Sequence, residues 1–163
     1  MPHKYLIKEF EDYARSVTSV EPLMQRMSER IHKHIPRYNW VGFYLADKKD
    51  PGALLLGPHT GSFTPNSRIS VDQGLCGLAA CSGRIVVADD VAKEPHCLQT
   101  YDLVKSQISV PIVMGGKVLI VFHLESYFLA TFKPTVEREF VENCARIVGR
   151  CLQKTTANEL VNA

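Results

Sequence analysis

The 163-residue chain lacks a long apolar run: nowhere do the roughly 20 consecutive apolar residues of a membrane-spanning helix occur. Met1-Pro2-His3-Lys4 leads into a charged segment instead of a signal-peptide apolar stretch, so a cytoplasmic protein without a membrane partner is expected. An excess of one charge is missing too. The 19 basic residues stand against 17 acidic ones, a net charge of +2, and they are scattered, which leaves no electrostatic footprint for nucleic acid. Internal repeats and low-complexity tracts are also lacking. With 45% apolar residues, the composition suits one domain with a proper core, taken as residues 1–155 with a C-terminal tail at 156–163.

Five cysteines without regular spacing argue against the disulfide framework of a secreted protein and for free or redox-active thiols. Cys76 has the most site-like setting, because in Gly74-Leu75-Cys76-Gly77 two glycines leave the backbone bare and free to turn around the thiol. A catalytic thiol needs a base to ionise it or a partner to resolve it, and the contexts of Cys81 and Cys97 promise neither clearly. Cys144 and Cys151 recur at helical spacing with Phe140, Ile147 and Val148 and read as small buried hydrophobes. Cys76, His96, Cys97 and His123 are types that zinc accepts, yet none falls in a Cys-x-x-Cys or His-x-x-x-His pair, so no metal is expected.

The residues read as helices at both ends enclosing strands. Leu23, Met24, Met27, Ile31 and Ile35 repeat at three- and four-residue steps and predict an amphipathic helix over 20–35, stopped by Pro36. In the strand 40–45, period two places Trp40, Gly42 and Tyr44 on one face and Val41, Phe43 and Leu45 on the other. Further strands are expected at 53–56, 67–71 and 84–88. Gly115-Gly116 joins strands 107–114 and 117–124 in a hairpin, with an edge or bulge expected near Pro111. A last helix opens near Pro134 or Thr135 and runs to about Lys154, with Arg146, Arg150 and Lys154 on its solvated face. The expected class is α+β: an antiparallel sheet of about six strands with the N- and C-terminal helices packed on one face.

Several segments together resemble the GAF-domain family, and within it the free methionine-R-sulfoxide reductases. They include Asn39-Trp40-Val41-Gly42-Phe43-Tyr44-Leu45, Gly74-Leu75-Cys76-Gly77-Leu78-Ala79, Val86-Val87-Ala88-Asp89-Asp90-Val91 and Ser106-Gln107-Ile108-Ser109-Val110-Pro111-Ile112. The resemblance implies a fold, a homodimer through the terminal helices, and a pocket. In that pocket Trp40 and Tyr44 match the aromatic wall, and Gln107, His123 and Glu125 stand where the family carries an acidic trio. Cys76 matches a family cysteine that forms a disulfide with the nucleophile, but the nucleophile position falls at Thr100 and a third cysteine position at Asn66.

A threonine hydroxyl cannot form the disulfide on which such turnover depends. The expected function is therefore a sensing domain that binds a small polar metabolite through Trp40, Tyr44, Cys76, Gln107, His123 and Glu125, with no cofactor. One alternative is an active reductase in which Cys97 attacks, Cys76 resolves, and thioredoxin or another thiol supplies electrons. Another is a signalling interaction module acting through a partner protein.

Overall fold

The structure is a computed structural model, and it describes residues 2–62, 66–97 and 102–162, apart from the side chains of 161 and 162. In chain order the elements are α1 (His3–Ser16), α2 (Val20–His34), β1 (Trp40–Ala46), β2 (Ala53–Gly61), β3 (Arg68–Ser70), α3 (Gly74–Ser82), β4 (Val86–Ala88), β5 (Ser106–Met114), β6 (Lys117–Ser126) and α4 (Thr135–Asn162). The strands form a six-stranded antiparallel sheet in the order β3-β2-β1-β6-β5-β4.

Alternation along the central strands gives the sheet two different faces. Val41 and Phe43 of β1, Ile108, Val110 and Ile112 of β5, and Ile120, Phe122 and Leu124 of β6 all turn toward α1, α2 and α4, where they build the main core. Leu6 and Phe10 of α1, Leu23, Met27 and Ile31 of α2, and Val141, Cys144 and Val148 of α4 close it. The opposite parity, Trp40, Tyr44 and Val121, packs with Leu54, Ile69, and Cys76 and Ala79 of α3 in a second, smaller cluster.

The expected α+β class with terminal helices on one face is observed, with two additions. Helix α1 was not foreseen, although Leu6, Phe10, Tyr13 and Ala14 carry helical spacing. Helix α3 corrects the expectation that helices occur only at the chain ends: it lies between β3 and β4 and covers the second face. Cys76 consequently sits in the first turn of a helix, not in a loop. The signals that could have found α3 are its Gly/Ala-rich apolar run and Gly83, whose φ of 66° and N–H to the Ala79 carbonyl at 2.9 Å close it. Helix α4 extends past the expected Lys154 to Asn162, and Thr155 is buried.

The Gly115-Gly116 hairpin is as predicted, with positive φ at both glycines and Met114 opposite Lys117. Pro111 lies beyond the short β4, on the open edge of β5, and a bulge follows it where Ile112 pairs with Ile120 but Val113 with Val118. That bulge positions the site.

Candidate ligand pocket and its hydrogen-bonded chain

Past the bulge, Gln107 stands directly opposite Glu125, and Ser109 opposite His123. On the far side of β6, Trp40 is the neighbour of Glu125. All these side chains share the second sheet face, and α3 lies over them. The result is a cavity lined by Trp40, Tyr44, Cys76, Gln107, His123 and Glu125, with Ile69, Gln73, Gly74 and Leu75 completing its walls. All six sequence-predicted binding residues thus meet in one place. The water-accessible volume is about 20 Å³, and the cavity is partly open to solvent.

The aromatic side is continuous. Trp40 stacks on Tyr44 with ring centroids 6.1 Å apart, and His123 meets the two rings at 5.8 and 6.4 Å. The Tyr44 hydroxyl donates to the backbone carbonyl of Asn66 at 3.2 Å. Burial, with the charges of Cys76 and Glu125 nearby, pushes its phenol well above the ordinary range, so it acts as a neutral donor.

The polar side is a chain of contacts with a thiol at each end. Ser109 Oγ lies 3.6 Å from Cys76 Sγ and 2.7 Å from His123 Nδ1, while His123 Nε2 lies 2.9 Å from Glu125 Oε1. The Gln107 amide donates to the same Glu125 oxygen at 2.9 Å, and its own carbonyl oxygen accepts from the Cys97 thiol at 3.7 Å. Ser109 is the member that sequence reasoning missed. Its two-residue step from Gln107 was the available signal, but only the strand register brings it to His123.

Two features of this chain are electrostatically unusual. Burial alone would lower the His123 pKa, but the sulfur of Cys76 and the carboxylate of Glu125 outweigh it and push the imidazole up to about 10. The side chains of His123 and Glu125 are each only 7% exposed, so this is a buried ion pair. Its second carboxylate oxygen, Glu125 Oε2, is buried with no hydrogen-bond partner among the described residues. A buried acceptor in that state carries a desolvation cost that a donor on an incoming molecule would offset.

The remaining cysteines are chemically distinct. Cys97 is half-buried, does not line the cavity, and has its thiol pushed up to about 12 by burial and by Glu94 and Glu125. Cys144 and Cys151 are buried in the helical core as expected, and Cys81 is exposed with its thiol donating to the Val71 carbonyl at 2.9 Å. Thr100, where the resemblance places the family's attacking thiol, lies outside the described residues.

Sequence comparison decides the family, because the GAF domain model matches residues 17–153. The chain belongs to the GAF-domain family. This GAF domain is 30% identical to the protein YtsP of Bacillus subtilis over 76% of its own length and 75% of that protein. It is 32% identical to the free methionine-R-sulfoxide reductase of Saccharomyces cerevisiae over 69% of its own length and 62% of that protein. Among solved structures, the Neisseria meningitidis free methionine-R-sulfoxide reductase in complex with its substrate superposes with a TM-score of 0.88. That match covers 96% of this chain and 91% of the other at 24% identity, and so speaks for the fold. The GAF domain described here is related to those reductases.

Proposed function

We propose that this GAF domain is a binding and sensing module for a small polar molecule, held in the cavity under α3, and that it does not run the thiol chemistry of its reductase relatives. The observation that carries this reading is the convergence of Trp40, Tyr44, Cys76, Gln107, His123 and Glu125 on one cavity with an aromatic side and a polar side. Trp40 and Tyr44 provide the apolar wall. Gln107, His123 and Glu125 provide polar contacts, and Cys76 closes the roof from α3. Where the family has three acids, this pocket has one acid, one amide and one imidazole that favours its cationic form. The ligand is accordingly less cationic than a substrate suited to three carboxylates, and it carries a hydrogen-bond donor for Glu125.

Calorimetry against a panel of small metabolites tests the proposal. At least one ligand should bind the wild type more tightly than free methionine-R-sulfoxide does, and Glu125→Gln should weaken it. Methionine-R-sulfoxide binding as tightly as any other compound would contradict the reading.

The reductase alternative, with Cys97 attacking and Cys76 resolving, has one observation in its favour: the two thiols terminate the same hydrogen-bonded chain. Against it stand the raised pKa of Cys97, which disfavours the attacking thiolate, and its position outside the cavity lining. Steady consumption of free methionine-R-sulfoxide with dithiothreitol or thioredoxin, abolished by Cys97→Ser, would establish that alternative.

A further inference from the structure

The chain Cys76, Ser109, His123, Glu125 has the composition of an acid-base relay, and the binding reading uses it only as a wall. Glu125 Oε1 lies 2.9 Å from His123 Nε2 and fixes the imidazole; His123 Nδ1 lies 2.7 Å from Ser109 Oγ; Ser109 Oγ lies at sulfur contact distance, 3.6 Å, from Cys76 Sγ. His123 already favours its cationic form, so its Nδ1–H donates to Ser109 Oγ and the Ser109 hydroxyl is left to donate to Cys76 Sγ. That hydrogen bond and the imidazolium behind it, itself held by a buried carboxylate, both favour the thiolate of Cys76.

We propose that Cys76 is a peroxide-reactive thiol, activated through Ser109 by the His123–Glu125 pair. A second observation points to the oxidant. The cavity beside the sulfur has about 20 Å³ of water-accessible space, which admits a molecule of one or two heavy atoms. Hydrogen peroxide is small enough to enter that space beside the sulfur. In the step, the thiolate attacks one peroxide oxygen; an S–O bond forms and the O–O bond breaks. The leaving hydroxide takes the proton held by the imidazolium and departs as water. The thiol is oxidised to a sulfenic acid and the peroxide is reduced, with no further reactant.

The other thiols lack these elements. Cys81 is exposed but donates to a backbone carbonyl, Cys97 contacts an amide oxygen, and Cys144 and Cys151 sit in the apolar core. The charged and titratable groups around the relay are Glu125 on β6, Tyr44 on β1 and Cys97 near Gln107 of β5; of these only Glu125 can stabilise the imidazolium. The inference goes beyond the metabolite reading and does not depend on it, because it concerns the ligand-free protein.

The test is sulfenic-acid trapping with dimedone. The reduced full chain is exposed to hydrogen peroxide and the labelled cysteines are followed by peptide mass spectrometry. Buried Cys76 should be trapped before exposed Cys81, by about tenfold or more in rate. Ser109→Ala, which removes only a hydroxyl, and His123→Gln should slow Cys76 by a similar factor while leaving Cys81 unchanged, and Ser109→Thr should restore it. The gap between wild type and His123→Gln should narrow as pH rises, because hydroxide then ionises the thiol without the imidazolium. Labelling of Cys81 ahead of Cys76, or a wild-type rate in Ser109→Ala with a native melting profile, overturns the proposal. Failure of the metabolite calorimetry would leave these rates untouched, so the two readings fail separately.

Discussion

The two faces of one sheet are built by the same strands and differ only in parity. Toward α1, α2 and α4, β5 and β6 present Ile108, Val110, Ile112, Ile120, Phe122 and Leu124, an unbroken apolar surface. Toward α3, one residue away along each strand, they present Gln107, Ser109, His123 and Glu125, all buried and all polar. The first face stabilises by removing apolar area from water, and the second spends part of that gain on a polar chain with an unsatisfied oxygen. The lesson is that stability and chemistry are separated by a single step of the pleat.

The sharpest way to break this comparison is on the apolar face. Phe122 is fully buried and stacks on Phe43 with centroids 4.5 Å apart, so Phe122→Ala should cost about 3–5 kcal/mol in urea unfolding. A loss under about 1 kcal/mol would mean that this face does not hold the fold. Next comes the seat of α3. A Cβ on Gly77 would lie 2.8 Å from the Val71 carbonyl oxygen and 2.9 Å from that of Ser70, so Gly77→Ala must lift the helix, at about 1–3 kcal/mol. Ligand binding should fall with it, and intact binding in calorimetry would show that the helix is not the roof.

The polar face should respond differently to one replacement and to two. Glu125→Leu alone strands the donors of His123 and Gln107 and should destabilise by about 1–3 kcal/mol. Replacing His123 by Leu and Glu125 by Met together removes the charge pair as a unit and leaves only Gln107 and Ser109 short of partners, so it should cost less than Glu125→Leu alone while abolishing binding. A double variant worse than the single would show that the chain is structural after all.

The smallest effect is a pH dependence. The folded His123 pKa, about 10, exceeds its unfolded value of 6.5, so the stabilisation its cation gains from Cys76 first and Glu125 second is complete below about 6.5 and is lost as pH rises through about 10. Ser109, Glu125, Cys76, Trp40 and Tyr44 are the groups facing it. Wild-type stability should therefore drop, relative to Glu125→Gln, by on the order of 1 kcal/mol between pH 6.5 and pH 10. Parallel curves for the two proteins in urea titrations would remove the ion pair from the account.

Much of this was readable in the residues, and the exceptions have physical causes. The helical spacing of Leu23, Met27 and Ile31 and the glycine pair at 115 and 116 are local signals, and both gave the right elements. Helix α3 escaped because it is small-residue-rich and apolar on most sides, so it shows neither a helical stripe nor strand alternation. Trp40, Tyr44, His123 and Glu125 were found through alternation and family resemblance, while Ser109 was not, since a serine on a strand carries no signal until its neighbour is known.

What the sequence determined by itself is the parity of each strand: which residues travel together to one face follows from the two-residue repeat of the backbone. What only the tertiary structure decided is which parities meet. Counted straight back from Met114 and Lys117, Gln107 would stand opposite Leu124, and the polar chain could not form. The extra residue at Leu119 moves it opposite Glu125, and Ser109 opposite His123. A one-residue slip exchanges the faces of a whole strand, and packing of the apolar parity against α1, α2 and α4 is what selects the register.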